Sequence, residues 1–243
     1  MKAMILAAGL GTRLRPLTND LPKALIKIKD KTLLEIAINN IISQGFTNII
    51  INVHHHSQKI IRFLQEKNFG AEISVSDESK LLLDTGGGLK KAQWFFDDSK
   101  SFLLYNVDVI SNSNLKKLFD FHNQANSIAT LVVRKRESSR YLLFNENNIL
   151  CGWENVRTGE KKNSDNSRPH HSYAFSGIHV IDPKIFSLMP NDDIFSMIDL
   201  YLKIMDKNKI SAFYDEDSLW IDAGKPKGLK LAERNYFSFI KSP

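Results

Sequence analysis

The chain has 243 residues, 42% hydrophobic and 25% charged, which is the balance of a globular protein and excludes a disordered or low-complexity chain. Its one cysteine, Cys151, rules out an intrachain disulfide and fits a reducing compartment. Thirty-three Lys and Arg against 27 Asp and Glu give a net charge of +6, spread along the chain. With no zinc spacing, RNA-binding aromatic motif or basic helix, that excess suits small phosphorylated substrates and not nucleic acid.

Lys2–Ala8 reads as a short apolar strand that runs into the turn Gly9-Leu10-Gly11. The apolar run is too short for a signal peptide, and none reaches the ~18–20 residues of a membrane span, so a cytoplasmic protein with no membrane partner is expected. The spacing over Leu33–Gln44 is helical, with Gly45 as its stop. A buried-type strand follows at Asn48–Val53, a helix at Ser57–Lys67 and a strand at Ala71–Val75. Gly86-Gly87-Gly88 is read as opening a helix, Leu89–Phe96. Phe102–Val107 is a strand with Asp108 at its end, Leu115–Gln124 a helix and Ile128–Arg134 a strand. Strands alternating with helices predict a parallel sheet covered on both faces.

Beyond Arg136 the pattern changes. Arg140–Leu150 and Cys151–Val156 look like antiparallel hairpin strands, and the polar stretch 157–172 like a mobile loop. Phe175–Ile181 is a strand, Ile194–Asp206 a helix, Ile210–Tyr214 and Leu219–Asp222 strands, and Lys227–Ile240 a closing helix. Its apolar end, Phe237–Ile240, suits core packing or a subunit contact, which leaves monomer and homodimer both open. No repeat or linker interrupts the chain, so a single domain over 1–243 is expected.

The loop after the first strand carries the chemistry. Its glycines let backbone N–H groups approach a ligand and form an anion-binding nest. The third glycine of a dinucleotide fingerprint would fall at Leu14, and no Gly-Lys-Ser/Thr closes a P-loop. Instead Arg13 and Arg15 follow the turn, and Lys23 follows Pro22. A guanidinium fork matches phosphate oxygens and an ammonium is a point charge. One anion cradle with two separated cations suggests a polyphosphate plus a second phosphate. Asp108 and Asp222 both lie at strand ends, where α/β sheets place their ligand crevice. Each acid alone also suits a turn or a helix cap.

The string Leu6-Ala7-Ala8-Gly9-Leu10-Gly11-Thr12-Arg13-Leu14-Arg15-Pro16-Leu17-Thr18, followed by Pro22-Lys23-Ala24-Leu25, resembles the signature of sugar-1-phosphate nucleotidyltransferases. The resemblance extends to Trp220-Ile221-Asp222-Ala223-Gly224 and so covers nearly the whole chain. The short length and Asp84-Thr85-Gly86-Gly87-Gly88 are most similar to N-acetylmuramate-1-phosphate uridylyltransferases, with mannose-1-phosphate guanylyltransferases next. The resemblance implies an α/β, Rossmann-like three-layer sandwich with a mostly parallel mixed sheet and a small antiparallel sugar-side insertion. The nucleotide-binding part would cover about 1–136 and the sugar-binding part about 137–243.

It also implies a reaction between a nucleoside triphosphate and a sugar 1-phosphate that gives an NDP-sugar and pyrophosphate with Mg2+. The nucleophile is an ionised phosphate oxygen, so positioning and electrostatics replace a general base. By resemblance, Asp108 and Asp222 hold the metal. Arg13 steadies the leaving pyrophosphate, and Lys23 bridges the α-phosphate and the sugar phosphate. Leu6, Ala8, Gly9, Gly11, Thr12, Asn52, Gly86 and Gly87 meet the nucleotide, and Glu154 and Gly177 the sugar. Val107 stands where the family commonly has Gly, and a side chain there would narrow the sugar site.

Two other readings are carried forward. A cytidylyltransferase acting on phosphocholine or a similar ester would need aromatics around a quaternary ammonium, and Tyr141, Trp153, Tyr173 and Phe175 are available. A non-catalytic regulatory module would not need Arg13, Lys23, Asp108 and Asp222 together. His54-His55-His56 and His170-His171 are read as surface histidines, since successive strand residues face opposite ways.

Overall fold

The computed structural model describes residues 1–97, 100–162 and 169–236. The strands are β1 (Lys2–Leu6), β2 (Lys27–Ile28), β3 (Lys31–Thr32), β4 (Asn48–Val53), β5 (Glu72–Asp77), β6 (Phe102–Asn106) and β7 (Val109–Ser111), then β8 (Ala129–Arg134), β9 (Arg140–Phe144), β10 (Leu150–Asn155), β11 (Glu160–Lys162), β12 (His171–Ile181), β13 (Ile210–Tyr214) and β14 (Trp220–Asp222). The helices are α1 (Leu33–Ser43), α2 (Ser57–Gln65), α3 (Asp84–Lys91), α4 (Leu115–Ala125), α5 (Met197–Ile204) and α6 (Pro226–Arg234). The predicted extension of the closing helix to Ile240 lies outside the described residues.

The main sheet has ten strands. Parallel pairing joins β5 to β4, β4 to β1 and β1 to β6, while β12 runs antiparallel between β6 and β8. Successive residues of β1 point to opposite faces and enter two cores. Ala3 and Ile5 pack with Leu34, Ile38 and Ile41 of α1 and Leu118 of α4. Met4 and Leu6 pack with Leu89 of α3 and Met197, Leu200 and Tyr201 of α5. Each fully buried Ile or Leu contributes about 1.5–3 kcal/mol. Two cores on one sheet make the expected three-layer sandwich.

β1 is the point where the strand order reverses. Leu6 stands beside Asn52 of β4 on one side and Asn106 of β6 on the other, which places three strand ends around one crevice. A smaller core holds α6, β14 and β7 over the loop after β1, through Leu14, Ile110, Ile221 and Leu229.

The antiparallel part is grafted on through β12. Its first residues pair with β9 and its last with β6. The register shifts between Phe175 and His179, around Gly177 at φ +77°, as a bulge that bends one strand into two sheets requires. Within the stretch 157–172 expected to be a mobile loop, Glu160–Lys162 instead pairs with β10 and His171 already belongs to β12. Residues 163–168 lie outside the described residues. The first hairpin strand is shorter than expected because Asn145 closes a turn after it, its side chain accepting from the N–H groups of Asn147 and Ile149 at 3.0 Å each; the second has the expected length, one residue earlier.

Two helix starts also differ. α3 begins at Asp84, so the glycine triplet lies inside the helix and not before it. α5 begins at Met197, after an Ser196 cap that accepts from Asp199 N–H. The segment ahead of it lies on α3. A Cβ on Gly86 would come within 2.3 Å of the Phe195 ring, and one on Gly87 within 1.9 Å of the Asp193 carbonyl. Close backbone approach overrides the low helix propensity of glycine here.

Candidate active site

The Gly-rich loop folds on itself before it meets anything else. Gly11 has φ +66°, and a Cβ there would lie 2.8 Å from Thr18 Cγ2. The Thr18 hydroxyl donates to the Gly11 carbonyl at 2.8 Å. Asn52 steadies the other end by accepting from Ala7 N–H at 2.7 Å. Leu6, Asn52, Asp108 and Lys23 line a cavity of about 580 Å³ with the loop from Ala8 to Arg13. Gly177 lies beneath it, where a Cβ would come within 2.9 Å of Asn106 Nδ2.

The two aspartates meet. A Cβ built on Gly224 would lie 2.3 Å from Asp108 Oδ2, 2.9 Å from Asp222 Oδ1 and 3.0 Å from an Arg13 terminal nitrogen. Both acids therefore surround one point at the cavity rim. Two backbone bonds fix the arrangement: Ala223 N–H donates to the Asp108 carbonyl at 2.8 Å, and Gly224 N–H to Asp222 Oδ1 at 2.9 Å. Lys23 Nζ sits 2.8 Å from Asp108 Oδ2. Arg13 is 3.9 Å from Asp108 and 4.0 Å from Asp222, with Lys225 3.3 Å from Asp222. Arg13 is half-exposed, so these pairs tune position more than stability.

A second cavity, of about 620 Å³, adjoins the first and shares Arg13 and Asp84 with it. Its walls include Arg136, Arg140 and Tyr141 after β8, Trp153 of β10, Lys162 of β11 and Phe175 of β12. Of these, Arg136, Arg140 and Lys162 were not singled out from the sequence, for they come from separate elements and carry no shared motif. Asp84, Glu160 and Asp199 line the same cavity, with Lys162 paired to the last two, so acids and cations are mixed around its aromatic residues. Tyr173 is buried and packs on Phe144 and Tyr214.

Other predicted residues are placed differently. Gly86 and Gly87 do not line the first cavity; Asp84 and Thr85 do. Both glycine N–H groups donate to the Phe195 carbonyl, at 2.9 and 3.2 Å, so they hold the 193–195 segment. Glu154 faces away from the second cavity, with Ser172 Oγ at 3.1 Å and Lys161 Nζ at 3.8 Å. Val107 is fully buried in the core and lines neither cavity. His54 Nδ1 lies 2.7 Å from the Glu78 carbonyl and His56 Nε2 3.0 Å from that of Asn19.

Glu78 is a group that sequence reasoning missed. It is buried under Gly88 and accepts from Asn52 Nδ2 at 2.7 Å. Burial raises its pKa above the ordinary glutamate value. Through Asn52 it fixes the loop after β1. No motif announces it, since its partner lies on a different strand.

The family model for nucleotidyl transferases matches residues 2–238. The chain belongs to the nucleotidyl transferase family. N-acetylmuramate alpha-1-phosphate uridylyltransferase from Caulobacter vibrioides is 28% identical over 241 residues, covering 95% of this chain and 95% of its own. Mannose-1-phosphate guanyltransferase from Hypocrea jecorina is 30% identical over 251 residues, covering 99% of this chain and 65% of its own. UTP–glucose-1-phosphate uridylyltransferase from Synechocystis is 29% identical, and the chain spans 60% of its length. Among solved structures, HddC from Yersinia pseudotuberculosis complexed with GMP-PN superposes with a TM-score of 0.77 at 22% identity, covering 97% of this chain and 99% of that one. A putative glucose-1-phosphate thymidylyltransferase from Bacillus anthracis gives 0.79 at 21% identity, covering 96% and 94%. These two likenesses establish the nucleotide-diphospho-sugar transferase fold. Among the described residues no helix is long and apolar enough to cross a membrane.

Proposed function

We propose that this chain joins a sugar 1-phosphate to a nucleoside triphosphate, releasing pyrophosphate and an NDP-sugar, with Mg2+ as cofactor and in the cytoplasm. The observation that carries this reading is the convergence of Asp108 and Asp222 on one point at Gly224, facing Arg13 and Lys23. A sensor would have no need for paired acids among paired cations beside an anion cradle.

An oxygen of the sugar phosphate attacks the α-phosphorus. The bond from that phosphorus to the bridging oxygen of the β-phosphate breaks, and pyrophosphate leaves with the electron pair. No proton has to be removed from the attacking group. The chain's contribution is therefore to bring two polyanions together and to balance charge on the one that leaves. The nest around Gly9–Gly11 holds the triphosphate and Arg13, at the cavity mouth, takes the departing charge. Lys23, held between the loop and Asp108, lies where the two substrates meet.

Two carboxylate oxygens around one point, with phosphate oxygens completing the set, fit the hard oxygen ligation of Mg2+. Asp108 and Asp222 are the residues that would hold it, and when bound it supplies positive charge to the phosphates. The names of the relatives point to N-acetylmuramate, mannose or glucose 1-phosphate as acceptors to try first. The test is a matrix of UTP, GTP, CTP and dTTP against those sugar phosphates and phosphocholine, read by pyrophosphate release with magnesium. One sugar-phosphate pair turning over well above the rest is expected. Release with phosphocholine alone would replace this reading, and silence in every cell would favour the regulatory module.

A further inference from the structure

Two arginines on one stretch of chain lie along the same tryptophan and have different partners. Arg134, at the end of β8, has its guanidinium carbon 5.5 Å from the centre of the Trp220 ring. It has a carboxylate of its own, Asp215 at 3.8 Å, and donates to Ser218 Oγ at 2.9 Å. Arg136, two residues on, stacks closer, at 4.4 Å. It donates only to backbone carbonyls, of Phe175 at 2.9 Å and of Glu137 at 3.3 Å. Among the described residues no carboxylate lies within 4.0 Å of it; its buried Nε, like that of Arg134, has no hydrogen-bond partner.

The other cations of the second cavity are differently placed. Lys162 lies 3.0 Å from Asp199 and 3.9 Å from Glu160. Arg13 stands between Asp108 and Asp222, and Arg140 is exposed at the rim. Arg136 is thus a half-buried positive charge with no carboxylate in contact, although it feels the charge of Asp222 at longer range. Leaving such a charge unbalanced is costly, and a guanidinium fork is shaped for the oxygens of a phosphate. Its ring partner Trp220 starts the three-residue strand that ends in Asp222, and Arg136 lines the second cavity, which meets the first at Arg13 and Asp84.

The geometry points to Arg136 as the residue that holds the phosphate of the acceptor, opposite the triphosphate cradle. This rests on the sugar-1-phosphate reading above and deepens it. The triphosphate belongs to the loop and Arg13, the acceptor phosphate to Arg136, and Lys23 lies between them. The second cavity then recognises the sugar with Trp153, Tyr141 and Phe175.

The experiment compares wild type, Arg136→Gln and Arg136→Lys with the best substrate pair of the matrix. Gln retains a donor toward the Phe175 carbonyl but carries no charge. Arg136→Gln is expected to raise the acceptor KM about 10- to 100-fold, with the nucleotide KM within about twofold and the melting temperature nearly unchanged. Lys restores charge without the fork and is expected to fall in between. An acceptor KM unchanged in both variants, or acceptor and nucleotide KM rising together, overturns the assignment. Calorimetric titration with inorganic phosphate, the loop after β1 first saturated with pyrophosphate, reads the site without turnover. Binding present in wild type and lost in Arg136→Gln supports an anion site even if no pair reacts, so failure of the reaction reading is told apart. Equal phosphate binding by both proteins overturns it.

Discussion

The two cavities are nearly the same size, about 580 and 620 Å³, and are built in opposite ways. The first, proposed for the nucleotide, comes mainly from one short Gly-rich loop and three neighbouring strand ends. The second, proposed for the acceptor, comes from residues on the β8–β9 link, β9, β10, β11, β12 and the start of α5. A backbone cradle demands glycines at fixed local spacing, so it leaves a contiguous string in the sequence. A side-chain pocket assembled from six places leaves scattered residues, each with an ordinary local excuse. Asp108 and Asp222 lie between these cases, at two strand ends brought together by a third, small core.

The largest expected effect tests that seam. Asp108→Asn is expected to lower turnover about 10³-fold or more, because the pair around Gly224 loses a charge and Lys23 loses its partner. The substitution is isosteric, so the folded state should persist. Steady-state rates and a thermal melt check this together. Normal turnover in a folded Asp108→Asn would detach the nucleotide side from the acid pair.

Next comes the packing of the glycine triplet. Gly87→Ala would drive a methyl into the Asp193 carbonyl, which is backbone and cannot swing aside. A loss of about 3 kcal/mol is expected, or about 10 °C in Tm, measured by denaturant and heat. If Gly87→Ala melts like wild type but binds nucleotide poorly, the triplet meets the base and the 193–195 segment yields to it.

That triplet also shows where the sequence stops being legible. The strands β1, β4, β6, β8 and β13 are readable within two residues because buried parallel strands are unbroken apolar runs. α1 is readable from its period and from Gly45 as its stop, and the structure adds a reciprocal cap between Thr32 and Glu35. The start of α3 is not, because a run of three glycines reads locally as a turn, and its reason lies about a hundred residues further on. In the site, the loop from Gly9 to Arg13 with Lys23 and the two acids could be chosen from their string. Arg136 could not be, since only the tertiary fold shows that Arg134 has Asp215 while Arg136 has no such partner. Glu154 and Trp153 are neighbours on one strand, and local sequence does not say which face turns toward the cavity.

The two halves also bury titratable groups of opposite sign. Glu78, under the nucleotide loop, has its pKa raised by burial from the ordinary 4.5. The folded state then holds that proton more tightly than the unfolded chain. Its contribution to stability is full below about pH 4.5 and is lost as pH rises through the raised value. His179, in the acceptor-side core against the Tyr201 hydroxyl at 2.8 Å, is held down by burial from 6.5 to about 3. Its contribution is full above pH 6.5 and is lost as pH falls toward 3. Each group can tilt the stability curve by at most about 1.4 kcal/mol per pH unit. Chemical denaturation between pH 4 and 9 should show the alkaline tilt vanish in Glu78→Gln and the acid tilt vanish in His179→Asn. Identical tilts in variant and parent would mean that these groups titrate alike folded and unfolded.

The smallest effect expected is at Glu154. Its side chain is bonded to Ser172 and paired at 3.8 Å with Lys161 on the face of β10 away from the cavity. Trp153 and Asn155, its two neighbours, line the cavity, as strand alternation requires. Glu154→Gln keeps the length and the acceptor for Ser172 and removes a pair whose cation is well exposed, so the cost should be under about 0.5 kcal/mol. Acceptor KM should then change less than about twofold. A tenfold rise in acceptor KM at unchanged Tm would place Glu154 on the sugar, and would mean that β10 turns its other face inward when the acceptor binds.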